Sequence, residues 1–311
     1  MPSPRRIARA LTTQRQRRAL SRSVFRVRTA LSGPHAVLPL ATRTLTSRLL
    51  TKRKPSLYQL EVHVADRCNL NCKGCGHFSP LAPGELPSFE EYERDLARLA
   101  ALFENVGEIW LLGGEPLLHP RLLDFVTATR STFPDARVGV VSNGLLLGRQ
   151  GDEFWRSLAE NRVHLRLSGY PVDVDYDELL ETAAHNGVSA DLTPWRDEFY
   201  KMPIVPAGDL DPKRMLAECR QHFDCPYLEN GRIYHCARMP QSRHLTAAFG
   251  PALGDGLSAG IELARARDGW EVLHFLGHPN RWCRFCDAED LEHFEWGRTE
   301  RSPDEWLASR G

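Results

Sequence analysis

From Leu57 onward the hydrophobic positions change repeatedly between a period of two and a period of 3.6, which predicts strands separated by helices. The period of two predicts strands at 58–65, 107–112, 136–143, 163–168 and 189–194. The period of 3.6 predicts helices after Ser88 and Asp175, each with Glu three residues later as in a capping box, and helices at 120–131 and 152–160. Strands that alternate with helices in this way form parallel βαβ units.

This series has too few units for a closed eight-fold barrel, so we expect an α/β fold with parallel strands, arranged as a partial (β/α)6-type barrel. The active site of such a sheet lies beyond the carboxyl ends of its strands. Three loops directly after predicted strands contain cysteine, glycine or short polar residues: CNLNCKGC at 68–75, GGEP at 113–116 and SNG at 142–144. Their position favours a functional role for all three loops.

The first of these loops brings Cys68, Cys72 and Cys75 within eight residues of each other. Thiolates bind soft metals, but a closed zinc or iron–sulfur site requires four ligands. Two interpretations remain. The three cysteines hold three irons of a [4Fe–4S] cluster and leave the fourth iron open, or His77 or a distant cysteine completes a structural zinc site.

The alternation of strands and helices stops near residue 205, and the rest of the chain contains a second group of cysteines: Cys219, Cys225, Cys236, Cys283 and Cys286. Asn230-Gly231 is the strongest two-residue hairpin signal, and a hairpin centred there places Cys225 opposite Cys236 with Cβ atoms about 5 Å apart. Cys283 and Cys286 have the two-residue spacing of metal ligands. These four cysteines form a ligand set, and Cys219 is then the spare cysteine. A zinc ribbon is the alternative to an iron–sulfur cluster at this set.

We therefore expect three segments: a basic extension over 1–54, a core over 55–205 and a small cysteine-rich C-terminal domain over 206–311, ending in a solvated or capping helix at 287–307. Residues 1–54 carry fourteen Lys or Arg and no Asp or Glu, whereas the remaining residues carry 26 basic and 40 acidic side chains. Three interpretations of the extension are open: a poorly ordered or partly helical extension, a segment on an anionic membrane or nucleic-acid surface, or an organelle transit peptide.

The order and placement of the three loops resemble the radical S-adenosylmethionine (radical SAM) superfamily. The resemblance covers residues 58 to 205 and consists of Cys68-x3-Cys72-x2-Cys75, the GGEP loop and the SNG loop. It implies a [4Fe–4S] cluster on the three cysteines, whose open iron chelates S-adenosylmethionine. One electron then cleaves this cofactor to methionine and a 5′-deoxyadenosyl radical, which takes a hydrogen atom from the substrate.

The same resemblance implies roles for residues outside the cysteine loop. Gly113, Gly114 and Glu115 are expected to meet the methionyl amine, Ser142 and Asn143 to lie near the ribose, and Ser168 to be a polar residue after the fourth strand. Many members of the superfamily have an aromatic residue just before the third cysteine, near the adenine. This chain has Gly74 there, and Phe78 is a candidate substitute.

The C-terminal cysteines resemble the twitch or SPASM-type extensions that bind auxiliary clusters, with their Gly-x4-Cys signature at Gly231 and Cys236. We expect one auxiliary [4Fe–4S] cluster on Cys225, Cys236, Cys283 and Cys286. The superfamily pattern also permits Cys219 as a ligand. A spare Cys219 is a candidate hydrogen-atom donor, as an epimerase requires, and a buried, inert cysteine is the alternative.

The predicted function is therefore that of a radical SAM oxidoreductase or epimerase acting on a small sugar- or aminocyclitol-like intermediate of natural-product biosynthesis. Modification of a ribosomal peptide is the alternative within the same chemistry, and a zinc or electron-transfer module without catalysis is the alternative outside it. The expected partners are the substrate and a flavodoxin- or ferredoxin-like reductant, without nucleic acid. Clustered cysteines with metal-ligand spacing indicate a reducing compartment, so we expect a cytoplasmic protein.

Overall fold

The computed structural model describes residues 54–193, 198–219, 225–250, 253 and 255–308, so the predicted extension lies almost entirely outside the described residues. The strands are β1 (Ser56–Ala65), β2 (Asn105–Gly113), β3 (Arg137–Ser142), β4 (His164–Leu167), β5 (Ser189–Leu192), β6 (Glu198–Lys201), β7 (Tyr227–Glu229), β8 (Arg232–Tyr234), β9 (Ile261–Glu262) and β10 (Glu292–Glu295). The helices are α1 (Phe89–Leu102), α2 (Leu122–Thr132), α3 (Asp152–Glu160), α4 (Tyr176–His185), α5 (Pro212–Glu218), α6 (Arg238–Phe249) and α7 (Gly269–Leu276).

The predicted helix starts are confirmed by their caps. The Ser88 side chain accepts a hydrogen bond from the Glu91 backbone N–H at the start of α1. The Asp175 side chain accepts one from the Glu178 N–H at the start of α4. Each cap satisfies one of the backbone donors that a helix leaves free in its first turn. The five strands predicted before residue 195 are all present as β1 to β5.

The main sheet has the strand order β5-β4-β3-β2-β1-β7-β8-β9. Neighbouring strands from β5 to β1 are parallel, and β7 is parallel to β1, whereas β7–β8 and β8–β9 are antiparallel. The predicted parallel α/β fold is confirmed, and an open parallel sheet of this kind fits a partial barrel. Because β7 pairs with β1, the cysteine-rich region extends the core sheet, and the division at residue 205 stays a prediction.

The predicted hairpin is formed by β7 and β8. Tyr227 pairs with Tyr234, which is the register that a turn at Asn230-Gly231 requires. Both turn residues have positive φ, 47° and 73°, as a type I′ turn demands. The ladder ends at Tyr227 and Tyr234, so the predicted cysteine pair lies two residues beyond the last paired positions.

The two faces of the sheet are buried in different cores. Leu60 and Ile109 point toward α1 to α4 and belong to a core that includes the apolar faces of these helices. Trp110 and Tyr227 belong to a second core with residues of α5, α6 and the C-terminal segment, including Trp306. Both faces are therefore covered, as expected for parallel strands. Among the described residues no helix is long and apolar enough to cross a membrane.

The helix predicted at 287–307 is wrong. Strand β10 pairs with β6 in a separate two-stranded antiparallel sheet, and a short 3-10 helix follows at Pro303–Glu305. Along β10 the half-buried Glu292 and Phe294 alternate with the exposed His293 and Glu295. That period of two is a strand pattern, but four residues are too few to distinguish it from a helical period.

Candidate active site

The GGEP loop lies directly against the residues that lead into the cysteine loop. The Gly114 N–H donates to the Ala65 carbonyl at 2.6 Å, and the Glu115 N–H donates to the Arg67 carbonyl at 2.8 Å. A Cβ added to Gly114 would lie 2.1 Å from the Arg67 carbonyl oxygen, and one added to Gly113, whose φ is +144°, would lie 2.4 Å from that of Ala65. Both glycines are therefore needed because the two loops touch.

Glu115 connects the GGEP loop with the SNG loop. Its side chain is fully buried, and it accepts hydrogen bonds from Ser142 Oγ at 2.8 Å, the Asn143 N–H at 2.9 Å and the Leu117 N–H at 3.2 Å. All three of these donors are uncharged. Burial raises the pKa of Glu115 to about 7, and the three hydrogen bonds act in the opposite direction.

Asn143 continues this chain of hydrogen bonds to the first cysteine. Its side-chain amide donates to Cys68 Sγ at 3.6 Å and to Asn69 Oδ1 at 2.8 Å. On the other side, the Ser168 N–H donates to the Ser142 carbonyl at 2.8 Å. Four of the predicted cofactor residues and Cys68 thus form one connected network at the carboxyl ends of β1 to β4.

The sulfur of Cys68 is partly buried and accepts a backbone hydrogen bond. Burial raises the pKa of its thiol to about 12, with a smaller contribution from Cys75 nearby. The Leu70 N–H donates to its sulfur at 3.5 Å. Burial therefore disfavours the thiolate of Cys68 unless a positive charge compensates it, and a bound metal would supply such a charge.

A segment from the far end of the described chain covers the cysteine loop. The Lys73 N–H donates to the Gly297 carbonyl at 2.8 Å and the Thr299 N–H to the Asn71 carbonyl at 2.9 Å, so Cys72 faces Arg298 in a short antiparallel bridge.

Two tryptophans of the same segment bind this loop. Trp296 Nε1 donates to Cys72 Sγ at 3.2 Å, and Trp306 Nε1 donates to the Cys75 carbonyl at 3.0 Å. Residues 294–306, which we call the C-terminal strap, therefore contact the loop from Asn71 to Cys75.

The aromatic residue next to Gly74 comes from the strap. A Cβ at Gly74, whose φ is +64°, would lie 2.7 Å from Phe294 Cζ, so that ring fills the space beside the glycine. Phe78 is fully buried instead and packs against Trp306, with ring centroids 6.5 Å apart. These positions make Phe294 a second candidate, beside Phe78, for the aromatic role near the adenine.

The second group of cysteines is brought together by α5, α6 and the 3-10 helix at Arg281–Phe285. Cys219 caps the C-terminus of α5, Cys283 lies in the 3-10 helix, and both belong to or pack against the second hydrophobic core, together with Cys236 and Cys286. Burial raises the pKa of Cys236 well above its usual range, and the neighbouring Cys219, Cys286 and Cys283 raise it further.

Among the described residues, no three cysteine sulfurs lie within 4.8 Å of one another. The choice between a cluster and a zinc ion at these cysteines stays a prediction.

Comparison with known proteins agrees with this geometry for the core. Residues 62–187 match the Radical SAM superfamily. This part of the chain is a radical SAM domain. The domain contains the cysteine loop, the GGEP loop and the SNG loop described above, and the superfamily implies a [4Fe–4S] cluster and S-adenosylmethionine for it.

The similarity to individual curated proteins is partial. GTP 3',8-cyclase of Heliobacterium modesticaldum is 33% identical over 114 residues, which are 36% of this chain and 34% of that protein. GTP 3',8-cyclase of Staphylococcus carnosus is 27% identical over 156 residues, which are 47% of this chain and 43% of that protein. The chain thus spans less than half of the length of these relatives.

Solved structures align with lower identity. The structure of BtrN in complex with AdoMet and 2-DOIA aligns over 75% of this chain and 94% of that chain, with a TM-score of 0.47 and 15% identity. Streptococcus suis SuiB bound to precursor peptide SuiA aligns over 51% of this chain and 38% of that chain, with a TM-score of 0.37 and 18% identity.

The residues of the radical SAM domain fit the cofactors that the superfamily implies. Three soft thiolate donors suit iron, and the fully buried carboxylate of Glu115 has three uncharged donors among the described residues. A carboxylate has about four acceptor positions, so one remains for a cationic ligand. The ammonium group of S-adenosylmethionine is such a ligand.

A buried polar network beside the site was not predicted from the sequence. Tyr227 and His63 Nδ1 form a hydrogen bond, and His63 Nε2 and Asp66 Oδ1 lie 2.5 Å apart. Arg243 Nη2 lies 3.2 Å from Asp66 Oδ1 and 2.8 Å from Glu229 Oε1. This network joins β1 to the hairpin and α6. Only the apolar context of its members is visible in the sequence, so no local signal reveals it.

Proposed function

We propose that the chain is a radical SAM enzyme that oxidises a small, carbohydrate-like substrate. The observation that carries the proposal is the buried hydrogen-bond chain from Cys68 through Asn143 to Glu115 and Ser142. It joins a three-cysteine loop to a buried carboxylate at the carboxyl ends of neighbouring parallel strands. A zinc or electron-transfer module has no need for this carboxylate or for the two loops around it.

When bound and reduced by a flavodoxin- or ferredoxin-like partner, an open [4Fe–4S] cluster cleaves S-adenosylmethionine to methionine and a 5′-deoxyadenosyl radical that takes a hydrogen atom from the substrate. Cys68, Cys72 and Cys75 hold the three protected irons. Glu115 accepts a hydrogen bond from the methionyl ammonium. Ser142, Asn143 and Ser168 line the ribose side, with Asn143 also fixing the position of Cys68.

For the auxiliary site, the structure supports Cys219 as a candidate ligand beside Cys236, Cys283 and Cys286, in competition with Cys225 for the fourth position. The first four of these cysteines share the second hydrophobic core, and the buried thiol of Cys236 is affected electrostatically by the other three. This set differs from the predicted one in the exchange of Cys225 for Cys219. As a ligand, Cys219 would not be available as a hydrogen donor, and an auxiliary cluster that accepts an electron would serve dehydrogenation.

The proposed oxidation balances with an auxiliary electron acceptor. The substrate carbon loses a hydrogen atom to the 5′-deoxyadenosyl radical, giving 5′-deoxyadenosine. The resulting carbinol radical would lose its hydroxyl proton to solvent and one electron as a C=O bond forms. An auxiliary cluster held by the C-terminal cysteines would supply the acceptor for that electron, and the external redox partner would remove it.

A reconstitution experiment tests the superfamily activity. The protein is loaded with iron and sulfide without oxygen, reduced with dithionite and mixed with S-adenosylmethionine, and 5′-deoxyadenosine and methionine are measured. We expect both products from the wild type and neither from the triple Cys68→Ala, Cys72→Ala, Cys75→Ala variant. Zinc-bound thiols without any 5′-deoxyadenosine from the wild type would support the non-catalytic module instead.

Deuterated sugars and aminocyclitols identify the substrate and the outcome. Transfer of deuterium into 5′-deoxyadenosine marks the correct compound and carbon. A ketone product formed in a one-to-one ratio with 5′-deoxyadenosine supports dehydrogenation. An inverted product that carries solvent hydrogen at the same carbon supports epimerisation and contradicts the oxidation.

A further inference from the structure

The C-terminal strap places one indole N–H on a sulfur of the cysteine loop. Trp296 Nε1 donates to Cys72 Sγ at 3.2 Å across a sequence separation of 224 residues. Cys72 is only 8% exposed. Hydrogen bonds are electrostatically stronger where water is excluded, so this hydrogen bond is stronger than an exposed one of the same geometry.

The backbone holds this contact in place. The bridge between Cys72 and Arg298 is flanked by the hydrogen bonds from Lys73 to Gly297 and from Thr299 to Asn71, so both chains are fixed on either side of the sulfur. The Trp296 ring also packs beside Tyr170, with centroids 6.2 Å apart. Tyr170 follows β4, so the indole is held from a second direction.

We propose that Trp296 is a positioning residue that raises the reduction potential of the cluster held by the cysteine loop, an inference that rests on the proposed function. The positive end of the indole N–H faces a sulfur that gains electron density when the cluster is reduced. The hydrogen bond is therefore stronger in the reduced state and stabilises it. Hydrogen bonds to sulfur are among the means by which proteins set iron–sulfur potentials.

The other two cysteines of the loop have different surroundings. Cys68 accepts from the Leu70 N–H and the Asn143 amide, both of which lie within the radical SAM domain. For Cys75, the strap reaches the backbone carbonyl through Trp306 and not the sulfur. Trp296 is thus a donor to a loop sulfur that comes from outside the domain that binds the cofactor.

Trp296→Phe tests the inference, because it keeps a ring beside Tyr170 and removes the donor. The midpoint potential of the cluster that responds to S-adenosylmethionine is measured by redox titration with electron paramagnetic resonance. We expect a more negative midpoint, with a ratio of reduced to oxidised cluster about tenfold lower at a fixed potential, which corresponds to a shift of about 59 mV. Trp306→Phe, which removes a donor to a carbonyl, is the matched control and should leave the midpoint unchanged.

The outcomes separate the inference from the function on which it rests. A wild-type protein that takes up no cluster in the cysteine loop overturns both. A wild type that binds the cluster and cleaves S-adenosylmethionine, while Trp296→Phe keeps the wild-type midpoint, overturns the role of Trp296 alone. Equal shifts in both tryptophan variants also overturn it, because they indicate a general disturbance of the strap.

A measurement without substitution at Trp296 covers the case in which that variant does not fold. Trp306→Phe protein with 15N-labelled indole nitrogens is reduced, and the hyperfine coupling of 15N to the cluster is recorded. The triple Cys68→Ala, Cys72→Ala, Cys75→Ala variant, labelled in the same way, gives the background from the auxiliary site. A coupling above this background supports the Trp296 contact, and its absence overturns it.

Discussion

Ser142 Oγ donates a hydrogen bond to Glu115 Oε1 at 2.8 Å, although the two residues belong to different loops and lie 27 positions apart in the sequence. The contact shows that the carboxylate is held in place by the fold itself. With three neutral donors from the described residues and no solvent exposure, Glu115 keeps one acceptor position available. This arrangement is pre-organised for a positively charged group.

Replacing this carboxylate tests its role in cofactor binding. Glu115→Gln keeps the size of the side chain. With its amide oxygen toward the Asn143 N–H, its NH2 group donates to Ser142 Oγ and only the Leu117 N–H loses its acceptor, so we expect the variant to fold. Loss of a charged hydrogen-bond partner costs about 1.5–3 kcal/mol, which corresponds to a Kd for S-adenosylmethionine about ten- to a hundredfold higher. Equilibrium dialysis of cluster-loaded protein measures it. The exposed Glu160→Gln is the control, and an unchanged Kd for Glu115→Gln would contradict the assignment.

The tight contact between the GGEP loop and the cysteine loop predicts a strong effect of one added methyl group. In Gly114→Ala the Cβ would meet the Arg67 carbonyl at 2.1 Å, so the backbone before Cys68 must move. Overpacking of this kind costs about 1–3 kcal/mol, and here it also displaces the first iron ligand. We expect loss of the iron bound by the cysteine loop.

Gly148→Ala is the matched substitution, because a Cβ there meets nothing within 4 Å. Iron analysis after reconstitution compares the two variants. Full iron content in Gly114→Ala would show that the loop contact does not position Cys68.

Single cysteine variants distinguish the two ligand sets of the auxiliary site. A chain with two [4Fe–4S] clusters binds about eight irons. If Cys219 is a ligand, Cys219→Ala loses the auxiliary cluster and retains about four irons, whereas Cys225→Ala retains about eight. Iron and sulfide analysis with Mössbauer spectroscopy measures this. The reverse pattern would restore the set predicted from the hairpin, with Cys219 as the spare thiol.

Asp95 predicts a pH dependence of stability that is unrelated to the cofactor site. It accepts a hydrogen bond from the Gly231 N–H at 3.0 Å and so ties α1 to the hairpin turn. Burial raises its pKa to about 6, and the nearby Glu91 raises it while the Gly231 N–H and Arg94 lower it. Because the folded pKa lies above that of the unfolded chain, the folded state favours the protonated acid. Its contribution is complete below about pH 4 and is lost as the pH rises through 6.

Asp95→Asn removes this dependence and keeps an acceptor for Gly231. The free energy of unfolding of the variant, relative to that of the wild type, should rise by on the order of 2 kcal/mol from pH 4.5 to pH 8, at about 1.4 kcal/mol per pKa unit. Urea unfolding at both pH values measures the difference. The exposed Asp135→Asn is the control for the loss of a surface carboxylate. A difference between Asp95→Asn and the wild type that is the same at both pH values would contradict the raised pKa of Asp95.

The sequence was most informative where chemistry and periodicity are local. The strands β1 to β5, the caps at Ser88 and Asp175 and the turn at Asn230-Gly231 each depend on a few adjacent residues, and all were predicted correctly. The grouping of the three loops followed as well, because parallel strands place their carboxyl ends at one edge of the sheet.

The features that escaped prediction depend on residues far apart in the sequence. Trp296 contacts Cys72 through a strand of four residues that pairs with β6, and neither strand has enough residues to show a clear period. Cys219 joins the other cysteines because α5 packs against the 3-10 helix at Arg281–Phe285, and no spacing rule predicts that packing. The glycines of GGEP approach the backbone at Ala65 and Arg67, a contact that no local pattern reveals, and their approach to a ligand stays a prediction.

The contacts of the strap also affect the order in which parts of the chain fold. Contacts between residues more than 200 positions apart form late, since a long stretch of chain must first be brought together. During synthesis, the three thiols of the loop emerge from the ribosome well before the tryptophans that cover them. Until the strap docks, the loop is therefore more accessible to solvent than in the folded chain.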